Sequence, residues 1–405
     1  MSSERLYYDD AYTTRFTARV AARERREDRD AVELESTYFY PESGGQEADR
    51  GTLGGARVVD VQDDEAGRVW HLLEDAAALE GPAEGVLDWT RRFDHMQQHT
   101  GQHVLSAAFE RVLAAHTVSS RLGERGTIEV ERADVDWRAV ERVEDAANAV
   151  VWEDREVQRH WVGEDDLARF QLRKPPPRDR AGAGGRIRIV EIPGWDVSPC
   201  GGTHTRRTGE VGAIKVVGWE RVRGHLRFEF VCGSRALRDH AWRTEALVEA
   251  ARRRTLGDRE LLAHLERAVE ERDELRKRLN EMSDRLLLAE ARAAVAGESP
   301  ASLWSDARPR EEVRRLAIKC LEAGAPWVVV AAGAPEAVVV AGRAKSLDLD
   351  LRTLVPGLLE RAGGRGGGSP DLIQASARDA AAADVARTWI AGELASRTGR
   401  APRDP

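Results

Sequence analysis

Cysteine is scarce in this chain of 405 residues, which contains three: Cys200, Cys232 and Cys320. So few scattered cysteines exclude a disulfide scaffold and favour a reducing cytoplasm. Long apolar runs are missing too, because no segment approaches the ~18 residues of a membrane span. The N-terminus lacks the basic and apolar segments of a secretory signal. With 41% hydrophobic and 33% charged residues, the composition excludes a membrane protein and a disordered chain.

Basic residues are concentrated in one region, although the net charge of the chain is −8. The acidic total argues against a nucleic-acid partner, but a local positive field can attract a polyanion whatever the total charge. Within residues 167–190, Asp179 stands against Arg169, Arg173, Lys174, Arg178, Arg180, Arg186 and Arg188. The stretch after Cys200 adds Arg206, Arg207, Lys215, Arg221, Arg223 and Arg227. A polyanion-binding surface and a solvated arginine-rich surface both fit this pattern.

Changes in residue pattern predict an α+β protein in four parts. Residues 1–90 contain short, partly alternating segments broken by Gly, Asp and Pro, which predict a small β-barrel-like domain. Residues 91–234 mix helical spacing with strands and predict an α+β domain. Residues 235–297 have almost no Gly or Pro and predict a helical, coiled-coil segment. Residues 298–405 alternate helix-like and strand-like stretches, which predicts a C-terminal α/β domain.

The helical segment carries apolar residues at alternating intervals of four and three. They are Leu261, Leu265, Ala268, Leu275, Leu279, Met282, Leu286, Ala289 and Ala293, with a polar break at Arg272. This heptad seam predicts a coiled-coil hairpin or a dimer stalk. One long helix packed on a globular body is the alternative.

Two short motifs carry residue types that bind metal ions: His99-x-x-x-His103 and Cys200-Gly-Gly-Thr-His204. Positions i and i+4 of a helix share one face, so His99 and His103 can point at a single ion. Cys200 and His204 would complete a set of three imidazoles and one thiolate, which suits Zn²⁺. His95 makes an equally good helical pair with His99. Periodicity alone does not choose between the two pairs.

Other zinc proteins fit the motifs less well. A zincin needs HExxH, and the glutamate of that motif is absent. A nucleobase deaminase needs PCxxC, and the second cysteine after Pro199-Cys200 is absent. A structural zinc site is usually richer in cysteine. The glycine run at 363–368 lacks the GK[ST] ending of a P-loop, so it does not predict a nucleotide site.

Taken together, the motifs resemble the editing half of alanyl-tRNA synthetase and its free-standing AlaX-type relatives. The residues that carry the likeness are Phe39-Tyr40-Pro41-Glu42-Ser43-Gly44-Gly45-Gln46, His99-x-x-x-His103, Cys200-Gly-Gly-Thr-His204 and Thr208-Gly209-Glu210-Val211-Gly212. The run from Gly363 to Asp371 resembles the synthetase's C-terminal domain, which is related to the DHH-associated domain. The resemblance implies that His99, His103, Cys200 and His204 bind zinc in an editing domain.

The resemblance also implies a function in translation fidelity. We expect a cytoplasmic deacylase that hydrolyses mischarged Ser-tRNA(Ala), and Gly-tRNA(Ala) as well, without aminoacylating tRNA. Gly44, Gly45 and Gln46 would lie against the aminoacyl end, although a plain β-turn also explains the glycine pair. Residues 235–405 would form a homodimer, bind tRNA, or both. The alternatives are a non-catalytic tRNA-binding or dimerising protein with a structural zinc, and a zinc hydrolase for small acylated substrates.

Overall fold

The computed structural model describes residues 3–74, 79, 81–176, 186–295 and 299–401. Helices and several sheets alternate along the chain, which confirms the predicted α+β class. The chain divides into two compact units, residues 1–254 and 255–405, and the finer four-part division stays a prediction. Among the described residues, no helix is long and apolar enough to cross a bilayer. Arg178, Asp179 and Arg180 of the basic stretch lie outside the described residues.

Six of the eight N-terminal strands form a closed barrel. The eight strands are β1 (Glu4–Arg5), β2 (Arg15–Arg26), β3 (Arg29–Leu34), β4 (Ser36–Thr37), β5 (Gly51–Leu53), β6 (Ala56–Asp63), β7 (Val69–Glu74) and β8 (Pro82–Leu87). The barrel order is β2-β3-β7-β6-β5-β8, and β1 pairs separately with β4. Leu34, Val61 and Leu73 point into its core. The two-residue alternation of strands explains why charged and apolar residues alternate along β2.

The rest of the first unit packs helices on sheets. Its elements are α1 (Trp89–Leu113), β9 (Thr117–Leu122), β10 (Gly126–Val130), α2 (Trp137–Trp152), β11 (Gln158–Val162), β12 (Ile187–Ile192), β13 (Asp196–Pro199), β14 (Ile214–Val222), β15 (His225–Cys232) and α3 (Gly233–Arg252). One sheet has the order β14-β15-β10-β9, and a second has the order β11-β12-β13. Phe109 of α1 and Val143 of α2 share a buried core with Phe228 of β15.

Helix α1 runs through the interior of this unit. It begins at Asp88, whose side chain accepts a hydrogen bond from the Arg91 N–H and caps the helix N-terminus. Every residue from His95 to Phe109 is buried. A helix buried on all sides must satisfy its polar side chains locally. The histidines of α1 therefore require specific partners.

The second unit is built on one mixed sheet. Its elements are α4 (Leu261–Ala294), β16 (Ala301–Ala307), α5 (Arg310–Glu322), β17 (Trp327–Ala334), β18 (Val338–Arg343), α6 (Val355–Ala362), β19 (Gly366–Gly368), β20 (Leu372–Ser376) and α7 (Ala380–Thr398). The sheet order is β16-β17-β18-β20-β19. Strand β17 is apolar along most of its length because both of its faces are covered. The second half of the glycine run at 363–368 forms the edge strand β19.

The heptad residues lie on α4, which packs only partly within its unit. Leu287 and Ala291 contact the core beside α5, whereas Leu275, Leu279 and Met282 are 55%, 66% and 62% exposed. The last turns of α4 therefore pack on the globular part of the second unit, as the alternative to a coiled coil predicts. The coiled-coil pairing of the exposed seam stays a prediction.

Candidate metal centre

The two motifs meet inside the first unit. His99 and His103 lie one turn apart on α1, and their ring centroids are 5.4 Å apart. Cys200 follows β13 directly, and the chain then turns so that His204 faces the same point. The ligand atoms of His99, His103, Cys200 and His204 all lie within 4.8 Å of one another. The structure thus brings together the four side chains that the sequence predicted.

Two distances within the group are close to those expected for tetrahedral coordination. The Cys200 Sγ lies 3.2 Å from the His99 Nε2 and 3.3 Å from the His204 Nε2. In a tetrahedral zinc site, bond lengths of about 2.0–2.3 Å separate neighbouring N and S ligands by roughly 3.5 Å. The donor set of three imidazoles and one thiolate is therefore compatible with zinc.

The outward-facing nitrogen of each imidazole has its own partner. The His99 Nδ1–H donates to the Gln46 Oε1 at 2.8 Å, and the His103 Nδ1–H donates to the Asp196 carboxylate at 2.8 Å. The His204 Nδ1 lies 3.2 Å from the Thr100 Oγ1. Metal-bound histidines usually make such outer hydrogen bonds, which fix the ring orientation and leave Nε2 for the ion.

Electrostatics favour the metal-binding forms of Cys200, His99 and His204. Burial alone would raise the pKa of the Cys200 thiol, but the imidazoles of His99 and His204 hold it well below its usual range. Burial also lowers the pKa of His99 and His204. At His103, burial would lower the pKa of the imidazole, but the neighbouring Cys200 and Asp196 raise it. A thiolate and neutral imidazoles are the protonation states that bind metal ions.

Asp196 and Arg173 extend the network outward from His103. Burial would raise the pKa of the Asp196 carboxyl, but its hydrogen bond with His103 and the charge of Arg173 lower that pKa to about 2. The Arg173 Nε–H donates to the Asp196 Oδ1 at 2.5 Å. The carboxylate therefore stays ionised and keeps His103 oriented.

A fully buried arginine holds the backbone of the cysteine motif. The Arg188 Nη1 donates to the carbonyl oxygens of Cys200 at 2.9 Å and of Gly202 at 3.0 Å. Its Nη2 donates to the Tyr8 carbonyl at 3.2 Å. Sequence analysis counted Arg188 only as part of a basic stretch and missed Asp196 altogether. Side chains two residues apart lie on the same face of a strand, so the sequence RIRIV indicated that Arg186 and Arg188 lie on one face. This signal could have shown that Arg188 has a specific structural role.

His95 lies on α1 outside the group of four. Its Nε2 is 3.9 Å from the Glu47 carboxylate, and its Nδ1 has no hydrogen-bond partner among the described residues. The open choice between the two histidine pairs is thereby answered geometrically, because the Cys200 Sγ lies within 4.8 Å of the ligand atoms of His99 and His103.

The Gly44-Gly45-Gln46 segment forms a tight turn beside the centre. Ser43 and Gln46 exchange backbone hydrogen bonds of 3.1 and 3.0 Å, and Gly44 and Gly45 have φ angles of 60° and 85°. The glycine pair thus forms the β-turn that the sequence allowed. Gln46 is fully buried and holds His99, while its Nε2 donates to the Thr203 Oγ1 at 2.8 Å. Contact of this turn with an aminoacyl group stays a prediction.

Comparisons with known proteins identify similar sequences. Residues 187–228 match the family described as the threonyl and alanyl tRNA synthetase second additional domain. The alanine–tRNA ligase of Pyrococcus abyssi is 32% identical over 94% of this chain and 42% of its own length. The alanyl-tRNA editing protein AlaX-L of Pyrococcus horikoshii is 29% identical over 92% of this chain and 94% of its own length. This chain therefore spans less than half of the ligase but nearly all of the editing protein.

Proposed function

The chain belongs to the family of alanyl-tRNA editing proteins and the corresponding region of alanine–tRNA ligases, and we propose that it hydrolyses the ester bond of mischarged Ser-tRNA(Ala). The observation that carries the catalytic part is the buried group of His99, His103, Cys200 and His204. The printed name of the AlaX-L relative supports the tRNA part. Gly-tRNA(Ala) is included in the proposed substrates, and the proposed setting is the cytoplasm.

The proposed cofactor is one zinc ion per chain, held by the Cys200 thiolate and the imidazoles of His99, His103 and His204. Bound zinc can polarise a carbonyl or lower the pKa of a water molecule. The chain itself supplies the positioning. Gln46 and Asp196 orient two of the rings through their Nδ1 atoms, and Arg188 holds the backbone between Cys200 and Gly202.

We infer that the centre opens to solvent on its cysteine side. His99, His103 and His204 are buried, whereas Cys200 is partly exposed and Gly201 is exposed. An ester approaching from solvent would therefore meet the Cys200–Gly201 segment first. The ester of an aminoacyl-tRNA is already activated, so the main task of the protein is to position it against a water molecule.

Selectivity for serine follows from the chemistry of recognition. A pocket built for alanine discriminates weakly against one added hydroxyl or one missing methyl group, which explains the need for a second site. A site that hydrogen-bonds the serine hydroxyl discriminates far more strongly, because alanine would leave its buried polar groups unpaired. We therefore propose that the seryl ester is cleaved much faster than the alanyl ester.

The deciding experiment compares deacylation of Ser-tRNA(Ala), Gly-tRNA(Ala) and Ala-tRNA(Ala) under identical conditions. We expect rapid release of serine, measurable release of glycine and little release of alanine. Equal rates for the seryl and alanyl esters would refute the editing role. Retention of tRNA without release of any amino acid would favour a non-catalytic binding protein, and cleavage of seryl esters regardless of RNA would favour a hydrolase for small substrates.

We propose that the second unit adds affinity for tRNA and pairs two chains. Support comes from α4, whose exposed seam is apolar at heptad spacing over several turns. The exposed large apolar side chains of the seam are Leu265, Leu275, Leu279, Met282 and Leu286. A second copy of α4 would cover them.

A further inference from the structure

A mixed aromatic and basic surface borders the metal centre. We define the aromatic–arginine face as the side chains of Tyr8, Tyr12, Arg159, Trp161, Arg186, Arg188 and Arg206. Strand geometry explains its central part. Side chains two residues apart share a face of a sheet, so Arg159 and Trp161 of β11 point the same way. Trp161 is directly opposite Arg188 on β12, which places Arg188, and Arg186 two residues before it, on that face as well.

Guanidinium groups lie over the rings of this face. The Arg206 Cζ is 3.9 Å from the centre of the Tyr12 ring, and the Arg188 Cζ is 5.4 Å from the centre of the Tyr8 ring. Tyr8 in turn contacts Trp161 edge to face, with ring centroids 5.5 Å apart. The Arg186 Cζ lies 5.9 Å from the Trp161 ring. The result is a row of π-faces interleaved with cations.

The same side chains contact the backbone of the metal motif. Arg188 donates to the carbonyls of Cys200 and Gly202. The Arg159 Nη2 donates to the carbonyl of His204 at 3.2 Å. A Cβ placed on the exposed Gly201 would lie 3.6 Å from the Tyr8 hydroxyl. The aromatic–arginine face therefore begins where the centre opens.

Acidic neighbours neutralise the charge of this face only in part. Asp9 accepts a hydrogen bond from the Trp161 Nε1–H at 3.4 Å, and Glu210 accepts one from the Tyr12 hydroxyl. These two carboxylates therefore bind the polar edges of the aromatic side chains. Asp10 lies 3.6 Å from Arg206. Within the described part of the chain, neither Arg159 nor Arg186 forms an ion pair. By contrast, Arg207, Lys215 and Arg227, elsewhere in the basic stretches, pair with Asp154, Glu144 and Glu129.

We propose that the aromatic–arginine face binds the unpaired nucleotides at the 3′ end of the tRNA, stacking bases on its rings and pairing phosphates with the guanidinium groups of Arg159, Arg186 and Arg206. This inference rests on the proposed function, because the ester to be cleaved is attached to the last of those nucleotides. Aromatic rings with interleaved cations are the usual platform for single-stranded nucleic acid, since every base has a π-face. A paired RNA helix presents no free base faces and would not use the rings.

The test measures how tightly the full chain binds a labelled single-stranded RNA with the sequence of the tRNA 3′ end. Trp161→Ala should raise the Kd about tenfold, which corresponds to about 1.4 kcal/mol. Trp161→Phe should stay close to the wild type because a ring is kept. The matched control is Trp152→Ala, which removes a tryptophan that is 78% exposed at the end of α2. This control should bind as the wild type does.

A second variant covers the case in which Trp161→Ala folds poorly. Arg186→Gln changes an exposed side chain just before β12, should weaken binding of the same RNA severalfold, and should flatten its salt dependence. Unchanged binding by Trp161→Ala and Arg186→Gln, equal weakening by Trp152→Ala, or equally tight binding of a duplex of the same length would overturn the proposal.

Kinetics separate this proposal from the proposed function. With Ser-tRNA(Ala), Trp161→Ala should raise KM about tenfold and leave kcat close to the wild-type value, because the ring holds the RNA and does not itself contact the reacting bond. If the wild type binds the single strand through Trp161 but releases no amino acid, the proposed function fails and the RNA-binding face stands. If the wild type is active and Trp161→Ala changes neither KM nor RNA affinity, RNA binding by the aromatic–arginine face is refuted and the proposed deacylase function stands.

Discussion

Gly202 lies directly against the ring of His99, so Gly202→Ala should weaken metal binding strongly without adding charge or much volume. A Cβ at this position would lie 2.0 Å from the His99 Cε1 and 2.2 Å from its Nδ1. The ring is buried and hydrogen-bonded to Gln46, so it has little room to move. Glycine is therefore required here by close approach.

The size of the effect follows from these distances. Relieving the clash to an ordinary contact of about 3.5 Å requires a shift of roughly 1.5 Å. Metal–ligand distances tolerate only about 0.2 Å, so His99 would be lost as a ligand. Zinc binding by four such ligands is worth about 10–16 kcal/mol. Loss of one ligand should cost roughly 3 kcal/mol, or on the order of 100-fold in zinc affinity.

Gly201→Ala is the matched control, because it adds the same methyl group one residue earlier in the motif. Its Cβ would lie 3.6 Å from the Tyr8 hydroxyl, an ordinary contact. Zinc content per chain, competition with a chelator and deacylation of Ser-tRNA(Ala) should be measured on both variants, with circular dichroism as the folding check. The reasoning is wrong if Gly202→Ala keeps one zinc per chain at wild-type affinity, or if Gly201→Ala loses zinc equally.

Three further outcomes are expected. Gln46→Ala removes the acceptor for the His99 Nδ1–H and should lower zinc affinity 10- to 100-fold in chelator competition, whereas Gln62→Ala on the barrel should not. Burial lowers the pKa of His71 to about 4. Below pH 6.5 the unfolded chain binds a proton at this residue that the folded chain does not bind, so the free energy of unfolding falls by up to about 3 kcal/mol as the pH drops toward 4. Urea unfolding at pH 7 and 4.5 should show this loss in the wild type and not in His71→Gln. The first compact unit ends at Arg254. Truncation after this residue should keep zinc binding and ester cleavage, but it should raise the KM for tRNA and abolish the dimer in sedimentation experiments. An unchanged KM together with an unchanged oligomeric state would contradict the proposed role of the second unit.

Local periodicity predicted the secondary structure well where one face of an element is buried. Helix α2, observed as Trp137–Trp152, is an example, because Val140, Val143 and Ala147 recur at helical spacing against the core. The heptad seam of α4 shows the limit of such patterns. An apolar stripe specifies that a helix has a buried side, but it carries no information on whether the covering surface comes from the same chain or another.

The metal ligands could be predicted from the sequence because each pair is local: His99 with His103, and Cys200 with His204. Their outer partners could not be predicted in the same way. Gln46 is 53 positions from His99, and Asp196 is 93 positions from His103. Such pairings depend on how the turn after β4 and strand β13 dock against α1. Residue spacing within one segment does not encode that docking.

The balance of charge around the centre also indicates what it attracts. The Cys200 thiolate and the Asp196 carboxylate are matched by the guanidinium groups of Arg173 and Arg188, which lie in the same network. A divalent cation bound to the four ligands would therefore leave a net positive charge at the opening beside Gly201. Such a field favours a phosphate-bearing chain. The total charge of −8 is consequently a poor guide to the partner, because it does not report the local group of Arg159, Arg186, Arg188 and Arg206 beside the centre.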